Sequence, residues 1–90
     1  MYTIEFSSEA KKVMAKWKKS DVIKFKKLTK ILDDIQEHPR SGIGHPEPLK
    51  GKQDITYSRH ITKSDRIIYD IYDELIQVLI IKMEGHYDDK

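Results

Sequence analysis

The sequence predicts an α+β domain of order β-α-α-β-β-β, a helical hairpin packed on a small, mainly antiparallel twisted sheet. Three observations predict it. Tyr2, Ile4 and Phe6 alternate with Thr3, Glu5 and Ser7; two stretches of helical apolar spacing follow; and the chain after Lys50 reads as strand to its end. Helices grouped ahead of a β meander place the chain in the α+β class rather than among folds that alternate strand and helix.

The opening alternation is that of a half-buried strand. Ser7 or Ser8 can then cap a helix in which Ala10, Val13, Met14 and Trp17 form a single apolar stripe. Ser20 is the next N-cap candidate, with Asp21 in the first turn, where a negative charge suits the helix dipole. Val22, Phe25, Leu28, Ile31, Leu32 and Ile35 keep helical spacing to about His38, and Pro39 ends the helix.

Three prolines and two glycines between Pro39 and Pro48 mark a loop. Pro46 and Pro48 flank Glu47 and bias it away from the α region, so its carboxylate is presented from a stiff extended segment. Beyond the loop, Ile55, Tyr57, Arg59 and Ile61 alternate with Thr56, Ser58, His60 and Thr62; Lys63-Ser64-Asp65 can turn; and Arg66 to Tyr72 is rich in Ile and Tyr. Asp73-Glu74 marks a further turn. The nearly continuous apolar run from Leu75 to Met83 predicts a central strand covered on both faces.

Ninety residues make one domain, spanning 1–90, and a chain of this length buries only about 60–65% of the surface its unfolded form exposes. The absence of cysteine excludes disulfides, thiolate zinc sites and a cysteine nucleophile, and fits a reducing cytoplasm. The N-terminus lacks a basic segment followed by an apolar one, and no apolar run approaches the roughly 20 residues that span a bilayer. The chain is expected to be soluble and cytosolic, with no membrane partner. Its formal net charge is only +2, but nine lysines stand against one acid between Lys11 and Lys30. Such a block attracts a polyanion by counterion release, though lysines on an amphipathic helix also serve as a plain solvated face. His38, His45, His60 and His86 lack the spacing of a metal-ligand set, so neither metal nor other cofactor is expected.

Four short stretches carry the chemistry: Gly42 to Lys50 (GIGHPEPLK), Tyr57 to Thr62 (YSRHIT), Asp65 to Tyr69 (DRIIY) and His86-Tyr87. They supply a carboxylate, two arginines, histidines and a tyrosine. RNA carries its own nucleophile in the 2′-hydroxyl. A nuclease without a metal needs a base for that proton, cationic donors for charge growing on the phosphate, and an acid for the 5′-oxygen. In order and spacing these segments resemble the YoeB/Txe branch of the RelE-like bacterial toxins, which carry a PEPLK-like segment, then W-S-R-R-I-T, then H-R-L-V-Y, and finish in H-Y. The match runs without a gap from about Gly42 to Tyr72, and a less specific likeness covers the amphipathic N-terminal half.

The resemblance implies roles for individual residues. Glu47 corresponds to the proposed general base, Arg66 to the arginine that holds the scissile phosphate, and His86 to the histidine that protonates the leaving oxygen. Tyr87 corresponds to the tyrosine that helps hold substrate and assists proton transfer, while Lys50, Ser58 and Arg59 are implied as substrate-positioning residues. A guanidinium binds phosphate in a two-pronged fork that lysine cannot reproduce, and a histidine titrates near cellular pH. Tyr57 replaces the usual tryptophan and can serve the core. Three departures stand out: His60 in place of the second arginine, Asp65 in place of the histidine before Arg66, and Asp88-Asp89-Lys90 beyond Tyr87.

The implied function is a RelE-like toxin of a type II toxin-antitoxin system, a metal-independent endoribonuclease that cuts mRNA in the ribosomal A site. A YefM/Phd-type antitoxin is implied as partner, operator DNA is reached through that antitoxin, and the resemblance is compatible with a homodimer. His60 and Asp65 motivate an alternative: a catalytically impaired binding module that acts as an antitoxin-bound co-repressor and does not arrest translation. A generic basic RNA-binding domain would instead depend on the lysines of 11–30 and not on Glu47 or His86.

Overall fold

Two helices pack on one face of a five-stranded sheet in the computed structural model, which describes residues 1–51 and 54–85, with main chain only at Glu84. The strands are β1 (Thr3–Phe6), β2 (Glu47–Pro48), β3 (Thr56–His60), β4 (Asp65–Tyr72) and β5 (Gln77–Gly85). Their order across the sheet is β1-β5-β4-β3-β2, and only the β1–β5 pair is parallel. The expected α+β class and mainly antiparallel sheet are both found. A two-residue strand inside the proline loop was not foreseen. Pro48 is tolerated there because β2 is an edge and needs no donor on its outer side.

Helix α1 (Ser8–Ser20) begins at Ser7, whose hydroxyl accepts from Ala10 N–H at 3.0 Å and donates to the Ile81 carbonyl, fastening the helix start to β5. Helix α2 (Val22–Glu37) is capped by Asp21 and not by Ser20 as the sequence suggested. Ser20 remains inside α1, its hydroxyl donating to the Lys16 carbonyl, while the Asp21 carboxylate accepts from Lys24 N–H at 3.1 Å. One residue thus ends α1 and starts α2, which makes the hairpin tight. His38 closes α2 just before Pro39, as expected.

The apolar stripes of both helices meet one face of the sheet. Leu28, Ile31 and Ile35 of α2 and Ala10 and Trp17 of α1 join Tyr57, Ile67, Tyr69, Val78 and Ile80 in a single buried cluster. Each buried Val, Leu or Ile of this cluster contributes about 1.5–3 kcal/mol by leaving water. Strand β5 is central, between β1 and β4, as predicted, but its covering is one-sided: Val78, Ile80 and Met83 are buried, and Leu79, Ile81 and Lys82 only partly so. Among the described residues no helix covers the face opposite α1 and α2, hereafter the uncovered face. Among the described residues no helix is long and apolar enough to cross a membrane.

Candidate functional site

Side chains of register partners in neighbouring strands project from the same face. Glu47 pairs with Ser58, Ser58 with Ile68, and Ile68 with Lys82, so these four make one row across the sheet. His60 pairs with Arg66 in the next row. Their strand neighbours Tyr57, Ile67 and Tyr69 point into the helix-covered core, so both rows lie on the uncovered face. Ser58 and Ile68 form its floor, 3% and 8% exposed, while Glu47 and His60 are exposed and Arg66 and Lys82 half-buried around it. The sheet thus brings Glu47, Ser58 and Arg66 together.

The chain is held firmly on either side of Glu47. His60 N–H donates to the Gly44 carbonyl at 2.7 Å, and Leu49 N–H donates to the Thr56 carbonyl at 2.8 Å. Gly44 has φ +80°, and a Cβ there would lie 2.7 Å from the His60 carbonyl oxygen, so the loop approaches β3 as closely as glycine permits. His45 follows with φ +53° and sets its ring edge-on to His60, centroids 6.4 Å apart. A left-handed non-glycine residue costs about 1–3 kcal/mol and is typical of functional loops. Lys50 lies just past β2, exposed and outside both rows.

Arg59 is not placed to meet substrate, and this corrects the expectation from the sequence. It lies on the core face of β3 and is 1% exposed. Nε donates to the Tyr69 hydroxyl at 2.9 Å; Nη1 to Asp34 at 2.5 Å and the Ile43 carbonyl at 3.1 Å; Nη2 to the His38 and Ser41 carbonyls. All five N–H groups are engaged inside the protein. Tyr69 in turn donates to the Pro39 carbonyl at 2.7 Å and stacks on Tyr57, which serves the core. Arg59 therefore fixes the loop that leads to Glu47.

Asp65, which precedes Arg66 in the chain, also turns to the helix side. It is 6% exposed, pairs with Lys24 at 3.1 Å and accepts from the Thr62 hydroxyl at 2.7 Å. Arg66 therefore does not share its face with this acid. His86 and Tyr87 lie outside the described residues; Gly85, the residue before them, pairs with Asp65 at the end of β5. Sequence reasoning missed Lys82, although it is the one charge in the run Leu75–Met83 and so marks where that strand faces away from the core. Among the described residues no group of three or more His, Cys, Asp or Glu side chains is gathered as for a metal.

Two carboxylates make the fold acid-sensitive. Burial alone would raise the Asp34 carboxyl, but hydrogen bonds from Arg59 and from Ile43 N–H, with the Arg59 charge, hold it below the usual range. Hydrogen bonds from Arg40 and Tyr2 likewise hold Asp73 low. Carboxyls depressed in the folded state add stability that is complete above their unfolded pKa and is lost as pH falls through the folded one. Urea midpoints are expected to be level at neutral pH and to fall below about pH 4. Asp34→Asn should give a shallower acid limb; an identical slope would show that Asp34 does not contribute.

The comparisons with known proteins agree with this fold. Residues 6–87 match the model of the YoeB-like toxins of bacterial type II toxin-antitoxin systems. Toxin YoeB of Mycobacterium bovis is 32% identical over 87 residues, covering 97% of this chain and all of that protein. The YoeB dimer from Staphylococcus aureus superposes with a TM-score of 0.82 at 30% identity, over 96% of this chain and 98% of that one. A heterotetrameric YoeB-YefM toxin-antitoxin complex from the same species gives 0.81 at 30% identity, over 97% and 99%. With that match and its helices on one face of the sheet, the chain belongs to the YoeB-like toxins of bacterial type II toxin-antitoxin systems.

Proposed function

We propose that this toxin is an endoribonuclease that enters the ribosomal A site and cuts mRNA without a metal. The observation that supports it is the placement of Glu47 and Arg66 on one uncovered sheet face, two strands and one row apart. Two strand spacings and one row put the two backbones about 12 Å apart, a gap that the two side chains close on a 2′-hydroxyl and its neighbouring phosphate held between them. Glu47 takes the 2′-hydroxyl proton and the oxygen attacks the adjacent phosphorus. Arg66 binds the non-bridging oxygens as their charge grows, His86 protonates the departing 5′-oxygen, and Tyr87 steadies the substrate. The products are a 2′,3′-cyclic phosphate and a 5′-hydroxyl. Lys50 contacts the strand, Ser58 lies in the floor beneath it, and the lysines of α1 and α2 meet ribosomal RNA.

A YefM-type antitoxin, as in the Staphylococcus aureus complex, restrains the toxin in the cytoplasm by folding a disordered segment across this face. Operator DNA is reached through that partner. The toxin can also pair with itself, as in the Staphylococcus aureus dimer. The binding-module alternative loses one of its two motives, because Asp65 does not reach the face that carries Arg66.

Primer-extension mapping of mRNA in a reconstituted translation system tests the reading. Cuts are expected within A-site codons, leaving cyclic phosphate ends, and a single 2′-deoxy substitution 5′ of the cut should abolish them. If folded wild-type protein leaves translating mRNA intact, the toxin acts as a binding module.

A further inference from the structure

The uncovered face holds a cation that this mechanism does not use. Lys82 ends the row that begins at Glu47, and it is the diagonal neighbour of Arg66, since its register partner Ile68 lies two residues along β4 from Arg66. Diagonal neighbours in a sheet are about 7–8 Å apart, a separation similar to that of consecutive phosphates in an extended strand. Lys82 is half-buried and is the register partner of the buried Ile68, so it stands at the edge of the floor.

The chemistry gives this row a direction. The base acts on the nucleotide 5′ of the cut, so the strand must cross from β2, where Glu47 sits, past Arg66 on β4 to β5. The leaving group then lies over β5. Lys82 thus stands on the leaving-group side of Arg66. A lysine is a compact point charge, suited to holding a phosphate that does not react and less suited to cradling the scissile one.

We propose that Lys82 binds the phosphate one nucleotide 3′ of the scissile phosphate. It is a substrate-positioning residue rather than one that moves a proton. The proposal rests on the nuclease reading above and extends its substrate site by one nucleotide.

The test is single-turnover cleavage of A-site mRNA at increasing toxin concentration, with wild type, Lys82→Met and Lys82→Arg. Loss of one charged contact should raise the half-saturating concentration of Lys82→Met about tenfold. The rate at saturation should remain near that of wild type, and Lys82→Arg should restore binding. A neutral methylphosphonate placed one nucleotide 3′ of the cut should weaken wild type by a similar factor and leave Lys82→Met unaffected. That arm needs only wild-type protein to show whether the phosphate is held, so it stands if a variant folds poorly. Unchanged half-saturation in a folded Lys82→Met, a fall confined to the saturating rate, or indifference of wild type to the methylphosphonate each overturns the assignment. A wild-type protein that does not cut at all overturns the nuclease reading itself, and Lys82 with it.

Discussion

Glu47→Gln is expected to slow the cleavage step by about 10²- to 10⁴-fold, the usual contribution of a positioned general base. The amide keeps the shape of the side chain and removes only its capacity to take a proton. Stability should change by no more than about 0.5 kcal/mol, because Glu47 is exposed and its segment is held through main-chain bonds on either side. Those bonds, from His60 N–H to Gly44 and from Leu49 N–H to Thr56, do not depend on the residue at 47. The rate is to be read at saturating toxin in single turnover, so that chemistry and docking are separated. A folded Glu47→Gln that cuts at the wild-type rate would remove Glu47 from the mechanism. Arg66→Lys offers a parallel reading, since it keeps the charge but loses the fork that matches two phosphate oxygens.

The long elements were legible because their periods are strong. The stripes from Ala10 to Trp17 and from Val22 to Ile35 each recur as a helix, and the alternation from Ile55 to Thr62 recurs as the shorter strand Thr56–His60. The Ser20 cap was missed by one residue, since serine and aspartate cap almost equally well and only the hairpin's geometry decides between them. The short β2 was not legible because two residues between prolines carry no period; its pairing depends on Ser58, which is eleven positions away in the chain. That pairing is also what places Glu47 beside Ser58 and on the same face as Arg66. The family resemblance named these residues, but composition and spacing alone did not bring them to one face. Arg59 is a different case. It alternates in phase with Tyr57 and Ile61, so its burial was written in the period, and the resemblance to a substrate-binding segment outweighed that signal.

Arg59→Met should cost about 3–5 kcal/mol of stability, the range for leaving a buried charge without its partner. The thioether fills much of the same space, but Asp34 loses its ion pair and the carbonyls of His38, Ser41 and Ile43 lose their donors. In a domain of this size such a loss lowers the thermal midpoint by on the order of 15 °C or more. Arg59→Lys keeps the charge but cannot reach five acceptors at once, so it should recover only part of the loss. Asp34→Asn should be strongly coupled to Arg59→Met in a double-mutant cycle, because both substitutions break the same contact. Under conditions where Arg59→Lys remains folded, its half-saturating concentration should stay near that of wild type while its saturating rate falls. That split follows from the position of the guanidinium: it holds the loop from His38 to Ile43, four residues before Glu47, and has no exposed N–H to offer a phosphate. A variant that is stable but binds mRNA poorly would return Arg59 to the substrate side.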